Sequence, residues 1–140
     1  MVSTGYLLDT NVLSEPLRPI PDAGVLARLQ AQRNALATAA PVWHELRHGM
    51  ERLPACRRRL EIEAYLDEAV RGAVPILPYN EAAATWHAAE RARLGKGGRT
   101  PPYVDGQIAA IARVNGLVLV TANMSDFVGF DGLVVEDWRS

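Results

Sequence analysis

The run Leu117-Val118-Leu119-Val120-Thr121 sets the fold class of this chain. It is short and continuously apolar, which is typical of a strand that is buried on both faces of a parallel sheet. Parallel strands need long crossover connections, and the chain has helical patterns between its apolar runs. The sequence therefore predicts an α/β fold, a three-layer α/β/α sandwich with a central parallel sheet.

The other elements alternate along the chain as this fold requires. Strands are predicted at residues 4–9, 35–38, 75–78, 117–121 and 133–135, the last of them at an edge. Helices are predicted at residues 22–33, 41–50, 55–71, 81–94 and 103–114. Asp22 is the expected N-cap of the first helix, Pro41 opens the second, and residues 95–102 form a glycine-rich loop. With 140 residues, of which 49% are hydrophobic, the chain fits a single domain over residues 1–140.

Composition gives two weaker indications about location and partners. No apolar run approaches the roughly 20 residues that span a bilayer, so a cytoplasmic location without membrane contact is expected. The net charge is −1, but Lys96 is the only lysine among 15 basic residues, and the others are arginines. Because arginine suits forked contacts to phosphate, this balance slightly favours nucleic acid as a partner.

Acidic residues recur where such a sheet binds ligands. Asp9 ends the first predicted strand, and Glu45 lies in the helix after the second. Asp105 is in the first turn of a helix, and Asp126 follows the strand that ends at Thr121. In a right-handed parallel fold, these positions converge on one edge of the sheet. Four carboxylates there would repel one another unless divalent cations offset them, and oxygen ligands favour Mg²⁺ or Mn²⁺.

Each acid also has a simpler local explanation. Asp9 could cap a turn, and a lone Glu45 could lie on a solvated helix face. The helix dipole alone favours an acid at Asp105, and Asp126 could be an N-cap. Their joint occurrence, each at the same predicted edge of the sheet, favours a shared site over four separate explanations.

The segments around these acids resemble a known family, the PIN domain, and most closely the VapC and FitB-type toxins of bacterial toxin–antitoxin pairs. The segments are LLDTNVLSE at 7–15, ELRHG at 45–49, DGQIAA at 105–110 and TANMSDF at 121–127. They occur in the family's order, and the resemblance covers nearly the whole chain. It implies a metal-dependent endoribonuclease that a cognate antitoxin holds inactive.

The resemblance also assigns roles by position. The residues that would hold Mg²⁺ or Mn²⁺ and carry the catalysis are Asp9, Glu45, Asp105 and Asp126. The ions would activate a water for attack on an RNA phosphodiester. Asn11 and Asn123 would orient ligands or water, and the Thr121 hydroxyl would donate a hydrogen bond to a ligand. Among the basic residues, Lys96 and Arg99 are the best candidates for contacts to RNA phosphates.

The partners that the resemblance implies are an RNA substrate, a second copy of the chain in a homodimer, and a VapB-like antitoxin with a DNA-binding domain. The antitoxin and toxin would form a hetero-oligomer. Apolar side chains that could contact the antitoxin are Trp43, Leu46, Leu53 and Leu60. A rival function is a catalytically weak PIN module that only binds the antitoxin and regulates its operon.

A third hypothesis is a zinc metalloprotease. The sequence His44-Glu45-Leu46-Arg47-His48 matches the H-E-x-x-H pattern, in which two histidines one turn apart bind zinc and the glutamate acts as base. Glu63 or Glu68 on the next helix could provide a third ligand. This hypothesis gives no role to the three aspartates of the predicted acid site, so we favour the nuclease.

Overall fold

The fold is an α/β/α sandwich around one parallel sheet, as the sequence predicts. A computed structural model describes residues 5–140. The strands are β1 (Tyr6–Leu8), β2 (Leu36–Ala39), β3 (Ile76–Leu77), β4 (Val118–Val120) and β5 (Val135–Glu136). Their order is β3-β2-β1-β4-β5 and every neighbouring pair is parallel. A strand is therefore confirmed at the predicted edge, although it begins at Val135 rather than at residue 133. The predicted start of the first strand at residue 4 lies outside the described residues.

The predicted helices are also present. They are α2 (Ala23–Ala31), α3 (Ala40–Glu51), α4 (Arg57–Ala64), α5 (Glu81–Lys96) and α6 (Tyr103–Val114), preceded by the single-turn α1 (Thr10–Leu13). The Asp22 carboxylate accepts a hydrogen bond from the Val25 amide at 3.0 Å, which confirms the N-cap, and Pro41 lies in the first turn of α3. Among residues 5–140, no helix is long and apolar enough to cross a membrane.

Several element boundaries differ by a few residues from the sequence prediction, and two of the differences have a clear physical basis. The helix predicted at 55–71 continues past α4 as a π-helical segment, Tyr65–Val70, in which the Arg71 amide donates to the Leu66 carbonyl at 2.9 Å. Helix α5 includes Gly95 and Lys96, so the loop expected from residue 95 begins later. A glycine inside a helix costs only about 1 kcal/mol. The turn instead falls at Gly98, whose φ of 80° is readily accessible only to glycine.

Helix α6 and the two central strands form the middle of the core. Leu7, Leu8, Leu119 and Val120 have no exposed side-chain surface, and α6 buries Ile108 against this region. Ala109, Ile111 and Ala112 on the same helix are also fully buried. The Asp9 amide donates to the Val120 carbonyl at 3.0 Å, so the carboxyl ends of β1 and β4 are adjacent. This pairing places the residues after both strands at one edge of the sheet.

Candidate active site

A cleft of about 340 Å³ lies at the carboxyl ends of β1 and β4. Its lining includes all four acids singled out in the sequence, Asp9, Glu45, Asp105 and Asp126. They come from the end of β1, from α3, from α6 and from the single 3₁₀ turn Met124–Phe127. Residues that are as much as 117 positions apart in the chain therefore share one concave surface, because parallel strands direct their exits to the same edge.

Asp9 is the most buried of these acids, with 8% of its surface exposed. Burial raises the pKa of its carboxyl, and the negative charges of Glu45 and Asp126 raise it further. Two hydrogen bonds act in the opposite direction. The Thr10 amide donates to Oδ1 and the Thr121 hydroxyl donates to Oδ2, both at 2.8 Å. Both oxygens therefore have fixed positions, and the carboxylate has one orientation at the floor of the cleft.

The Thr121 hydroxyl connects Asp9 to the loop after β4. It donates its proton to Asp9 and accepts from the Asn123 amide at 3.0 Å and from Asn11 Nδ2 at 3.3 Å. The other side-chain atom of Asn11, Oδ1, accepts from the Ala122 amide at 2.9 Å. The structure thus uses the Asn11 side chain to hold the loop backbone, and the Thr121 hydroxyl uses its one donor and both acceptor positions.

We expect Thr121→Val to weaken both the fold and the site. The substitution removes the donor to Asp9 and leaves the Asn11 side chain and the Asn123 amide without their acceptor. The free energy of unfolding should fall by about 2 kcal/mol, measured by urea denaturation. The RNA cleavage that the family resemblance implies should fall by about 10-fold or more in the folded variant. Thr121→Ser retains the hydroxyl and is the matched control; equal activity of the valine and serine variants would contradict this role.

The other three acids of the cleft have fewer hydrogen bonds to the protein than Asp9. The Thr10 hydroxyl donates to Glu45 Oε2 at 2.8 Å and so links α1 to α3. Asp105 lies in the first turn of α6, while Glu45 and Asp126 are exposed. Burial, and then the negative charges of the other three acids, raises the pKa of Asp105 to about 6. Thr10 was not among the site residues predicted from the sequence, although it directly follows Asp9 in the segment at 7–15.

Asp105→Asn should stabilise the protein at neutral pH when no divalent cation is present. Because the pKa of Asp105 is raised from 3.8 to about 6, its ionised form destabilises the fold above pH 6. The partly exposed side chain reduces this penalty to about 1 kcal/mol, equivalent to about 3 °C in Tm. In EDTA, the Tm of the variant should exceed that of wild type at pH 7.5, and the difference should vanish near pH 4. A variant that melts below wild type at pH 7.5 would contradict the repulsion among the acids.

The donor set of the cleft fits a hard divalent cation. Four carboxylates share it, and the pKa of Asp105 is raised first by burial and then by repulsion from the other three acids, which such a cation would relieve. Within the described residues 5–140, no three His, Cys, Asp or Glu side chains are gathered as a preformed metal site. The acids therefore line the cleft without converging on one point, and metal binding stays a prediction.

The histidines of the H-E-x-x-H sequence lie on the outside of α3. The rings of His44 and His48 stack with their centroids 5.9 Å apart, and both side chains are exposed. Glu45 instead accepts the hydrogen bond from Thr10. The part of the chain that the structure describes brings neither Glu63 nor Glu68 into a three-ligand group with them. The zinc site of the protease hypothesis is therefore not formed.

The two basic residues predicted to contact RNA lie in different surroundings. Arg99 Nη2 donates to the Val128 carbonyl at 3.0 Å, and its side chain lines a surface pocket that also includes Asp126. Arg99 is therefore next to the acid cleft. Lys96 is exposed in the last turn of α5 and does not line the cleft. Contact with RNA stays a prediction for both residues.

Known proteins are similar to this chain in both sequence and fold. Residues 6–130 match the PIN domain family. The tRNA(fMet)-specific endonuclease VapC of Shigella flexneri is 32% identical over 134 residues, covering 95% of this chain and 97% of that protein. Toxin FitB of Neisseria gonorrhoeae is 33% identical over 137 residues, covering 95% of this chain and 98% of that protein.

A solved structure extends the similarity to three dimensions. It is a member of the VapBC family of toxin-antitoxin systems, VapBC-5 from Mycobacterium tuberculosis. The TM-score is 0.69 at 27% identity, and the match covers 99% of this chain and all of the other. The family model spans most of the sequence, and the two relatives align over nearly their full length. The chain therefore belongs to the PIN-domain family.

Proposed function

We propose that this protein is a metal-dependent endoribonuclease and the toxin of a toxin–antitoxin pair. The observation that carries the proposal is the placement of Asp9, Glu45, Asp105 and Asp126 in one cleft. A phosphodiester is itself negatively charged, so it approaches four carboxylates only when cations offset their charge. The names of the relatives support RNA as the substrate, because VapC of Shigella flexneri is a tRNA-specific endonuclease.

Mg²⁺ or Mn²⁺ held by the four acids would increase the acidity of a water and offset the charge of the reacting phosphate. The chain's own residues provide the positions. Thr10 and Thr121 fix both oxygens of Asp9, and the Thr10 hydroxyl fixes Glu45. Asn123 lines the cleft and its side chain is exposed, so it can orient water or substrate there. No side-chain nucleophile is required.

An antitoxin is the partner that this function requires. Similarity to FitB, which is named a toxin, and to the toxin-antitoxin member VapBC-5 supports it. Of the apolar candidates for this contact, Leu46 is 9% exposed and belongs to the core, whereas Leu60 is 68% exposed and available. We also propose a homodimer in the cytoplasm; Tyr103 and Val104 are about half exposed and could be buried in such a contact.

The direct test uses the purified chain freed of any antitoxin and a broad panel of RNAs. We expect cleavage with Mg²⁺ or Mn²⁺, none in EDTA, and recovery when either ion is restored. The double variant His44→Ala/His48→Ala is the control for the protease pattern and should cleave like wild type. If wild type leaves every RNA intact with both ions, the proposal is wrong and a binding module without activity is the better description.

A further inference from the structure

A second pocket, of about 160 Å³, adjoins the acid cleft. The two share Asn11 and Ser14 as lining residues. In contrast to the acid cleft, this pocket has two arginines in its wall, Arg18 and Arg139. Glu15 and Asp137 also line this pocket, so it carries charges of both signs, whereas the charged side chains that line the adjoining cleft are all acidic. The proposed cleavage chemistry uses none of these four residues.

A chain of hydrogen bonds connects Arg139 to the floor of the acid cleft. Its Nη2 donates to the Ala122 carbonyl at 3.3 Å, and the Ala122 amide donates to Asn11 Oδ1 at 2.9 Å. Asn11 in turn donates to the Thr121 hydroxyl, which donates to Asp9. The guanidinium is therefore positioned by the same short network that orients the central carboxylate.

The backbone that carries Arg139 is held firmly on both sides. Trp138 is 4% exposed, packs edge-on against Tyr6 and donates from Nε1 to Glu136 at 3.0 Å. The Ser140 amide donates to the Asp22 carboxylate at 3.0 Å. Because residues on both sides are anchored, Arg139 presents its guanidinium at a defined place, with less conformational entropy to lose on binding.

Both arginines retain unused donors. Asp137 accepts from Nε and Nη2 of Arg139, and Nη1 makes no hydrogen bond with any of residues 5–140. The Arg139 side chain is 54% exposed. Arg18 is 65% exposed and contacts Glu15 through Nη1 alone, at 3.3 Å. The carboxylates therefore orient the two guanidinium groups that line the pocket and leave some of their N–H donors unused, and such donors can bind a phosphate.

We propose that Arg139, with Arg18 beside it, binds the phosphate next to the one that is cleaved. The inference rests on the proposed function. Phosphates on either side of the cleavage point would be repelled by the acid cleft unless cationic groups receive them at its rims. Arg139 stands at one rim, and Arg99 lines the pocket beside Asp126 at another. Arg139 would thus bind the substrate directly, at a distance from the reacting atoms.

The experiment measures binding of a fluorescein-labelled, single-stranded RNA of mixed sequence by anisotropy, in Ca²⁺, over a range of NaCl concentrations. Arg139→Ala should raise Kd about fivefold, and the slope of log K against log salt should fall by about 0.7, as loss of one phosphate contact predicts. Arg139→Lys should recover part of the affinity. The matched control is Arg33→Ala. Arg33 is exposed in the 3₁₀ turn before β2, and its replacement should leave both Kd and the salt slope unchanged. Equal melting temperatures of wild type and the variants would show that all of them are folded.

An RNA with one neutral methylphosphonate tests the contact directly. When the neutral linkage occupies the subsite, wild type and Arg139→Ala should bind equally; elsewhere their difference should remain. The inference is overturned if Arg139→Ala binds RNA with wild-type Kd and salt slope, including the case in which it weakens only antitoxin binding. Cleavage in Mg²⁺ or Mn²⁺ is scored separately. An Arg139-dependent salt slope without cleavage by wild type would contradict the proposed nuclease and still support the subsite.

Discussion

Asp9→Asn should reduce the rate of RNA cleavage by more than about 100-fold while the chain remains folded. Even the hydrogen-bond partners of metal ligands are typically worth about 10- to 100-fold in affinity or activity, and Asp9 is placed as a ligand itself. The substitution keeps the shape of the side chain and removes the negative charge that would hold Mg²⁺ or Mn²⁺. The measurement is the initial rate of cleavage with saturating Mn²⁺, compared with thermal unfolding of the same samples.

Folding should tolerate this change because a neutral side chain suits the buried position. Burial already raises the pKa of Asp9, so removing the charge removes an unfavourable contribution to the folded state. The amide group of asparagine has only one accepting oxygen, however, so one of the hydrogen bonds from Thr10 and Thr121 is lost. We therefore expect the Tm of Asp9→Asn in EDTA to lie within a few degrees of wild type. Asp67→Asn, at a half-exposed acid paired with Arg47, is the control and should retain activity. Cleavage by Asp9→Asn within a few-fold of wild type would refute the assignment.

Gly106→Ala should destabilise the protein about as much as Thr121→Val, but through overpacking rather than loss of hydrogen bonds. The added Cβ would lie within 2.9 Å of three atoms of the His87 ring. His87 is 3% exposed and hydrogen-bonded through Nδ1 to the Tyr79 hydroxyl at 2.8 Å, so the ring cannot easily move away. Overpacking typically costs about 1–3 kcal/mol, and contact with three atoms of a fixed ring places this site at the upper end of that range. Alanine gains roughly 1 kcal/mol over glycine in a helix, which offsets only part of the cost.

The net loss should be about 2 kcal/mol or a fall in Tm of about 5 °C or more, measured by calorimetry and urea denaturation. Because Asp105 directly precedes Gly106 in α6, displacement of the helix should also reduce RNA cleavage by the folded variant. Gly49→Ala is the matched control, since this glycine lies inside α3 with nothing within 4 Å of the added Cβ. The Gly49→Ala variant should be slightly more stable than wild type. Equal stability of both variants would contradict tight packing of α5 on α6.

Elements with strong local signals could be predicted from the sequence. The continuous apolar run became β4, and Asp22 and Pro41 correctly marked the starts of α2 and α3. Elements without a periodic pattern were not predicted. The single turn α1 and the 3₁₀ turn that carries Asp126 are too short to show one, and each is defined by the hydrogen bonds of the strand exits.

The candidate site shows the same division. The four acids could be identified because parallel strand exits must share an edge and because the motifs resembled a known family. Their individual roles could not be distinguished in this way. Asp9 has two fixed oxygens and Asp105 a pKa raised to about 6, and these differences arise from burial and neighbouring charges. The H-E-x-x-H pattern was convincing in sequence but lies on the exposed face of α3.

By itself, the sequence determined the parallel α/β fold, the membership of the family and the edge at which Asp9 lies. These depend on hydrophobic patterning and on residue type, which are properties of short segments. Only the tertiary structure showed that Thr121 donates a hydrogen bond to Asp9 and that Asn11 donates one to Thr121. It also showed that the His87 ring packs against Gly106. It also placed Arg139 beside the acid cleft. Such contacts join residues about 20 to more than 100 positions apart, and packing of the whole chain fixes their distances.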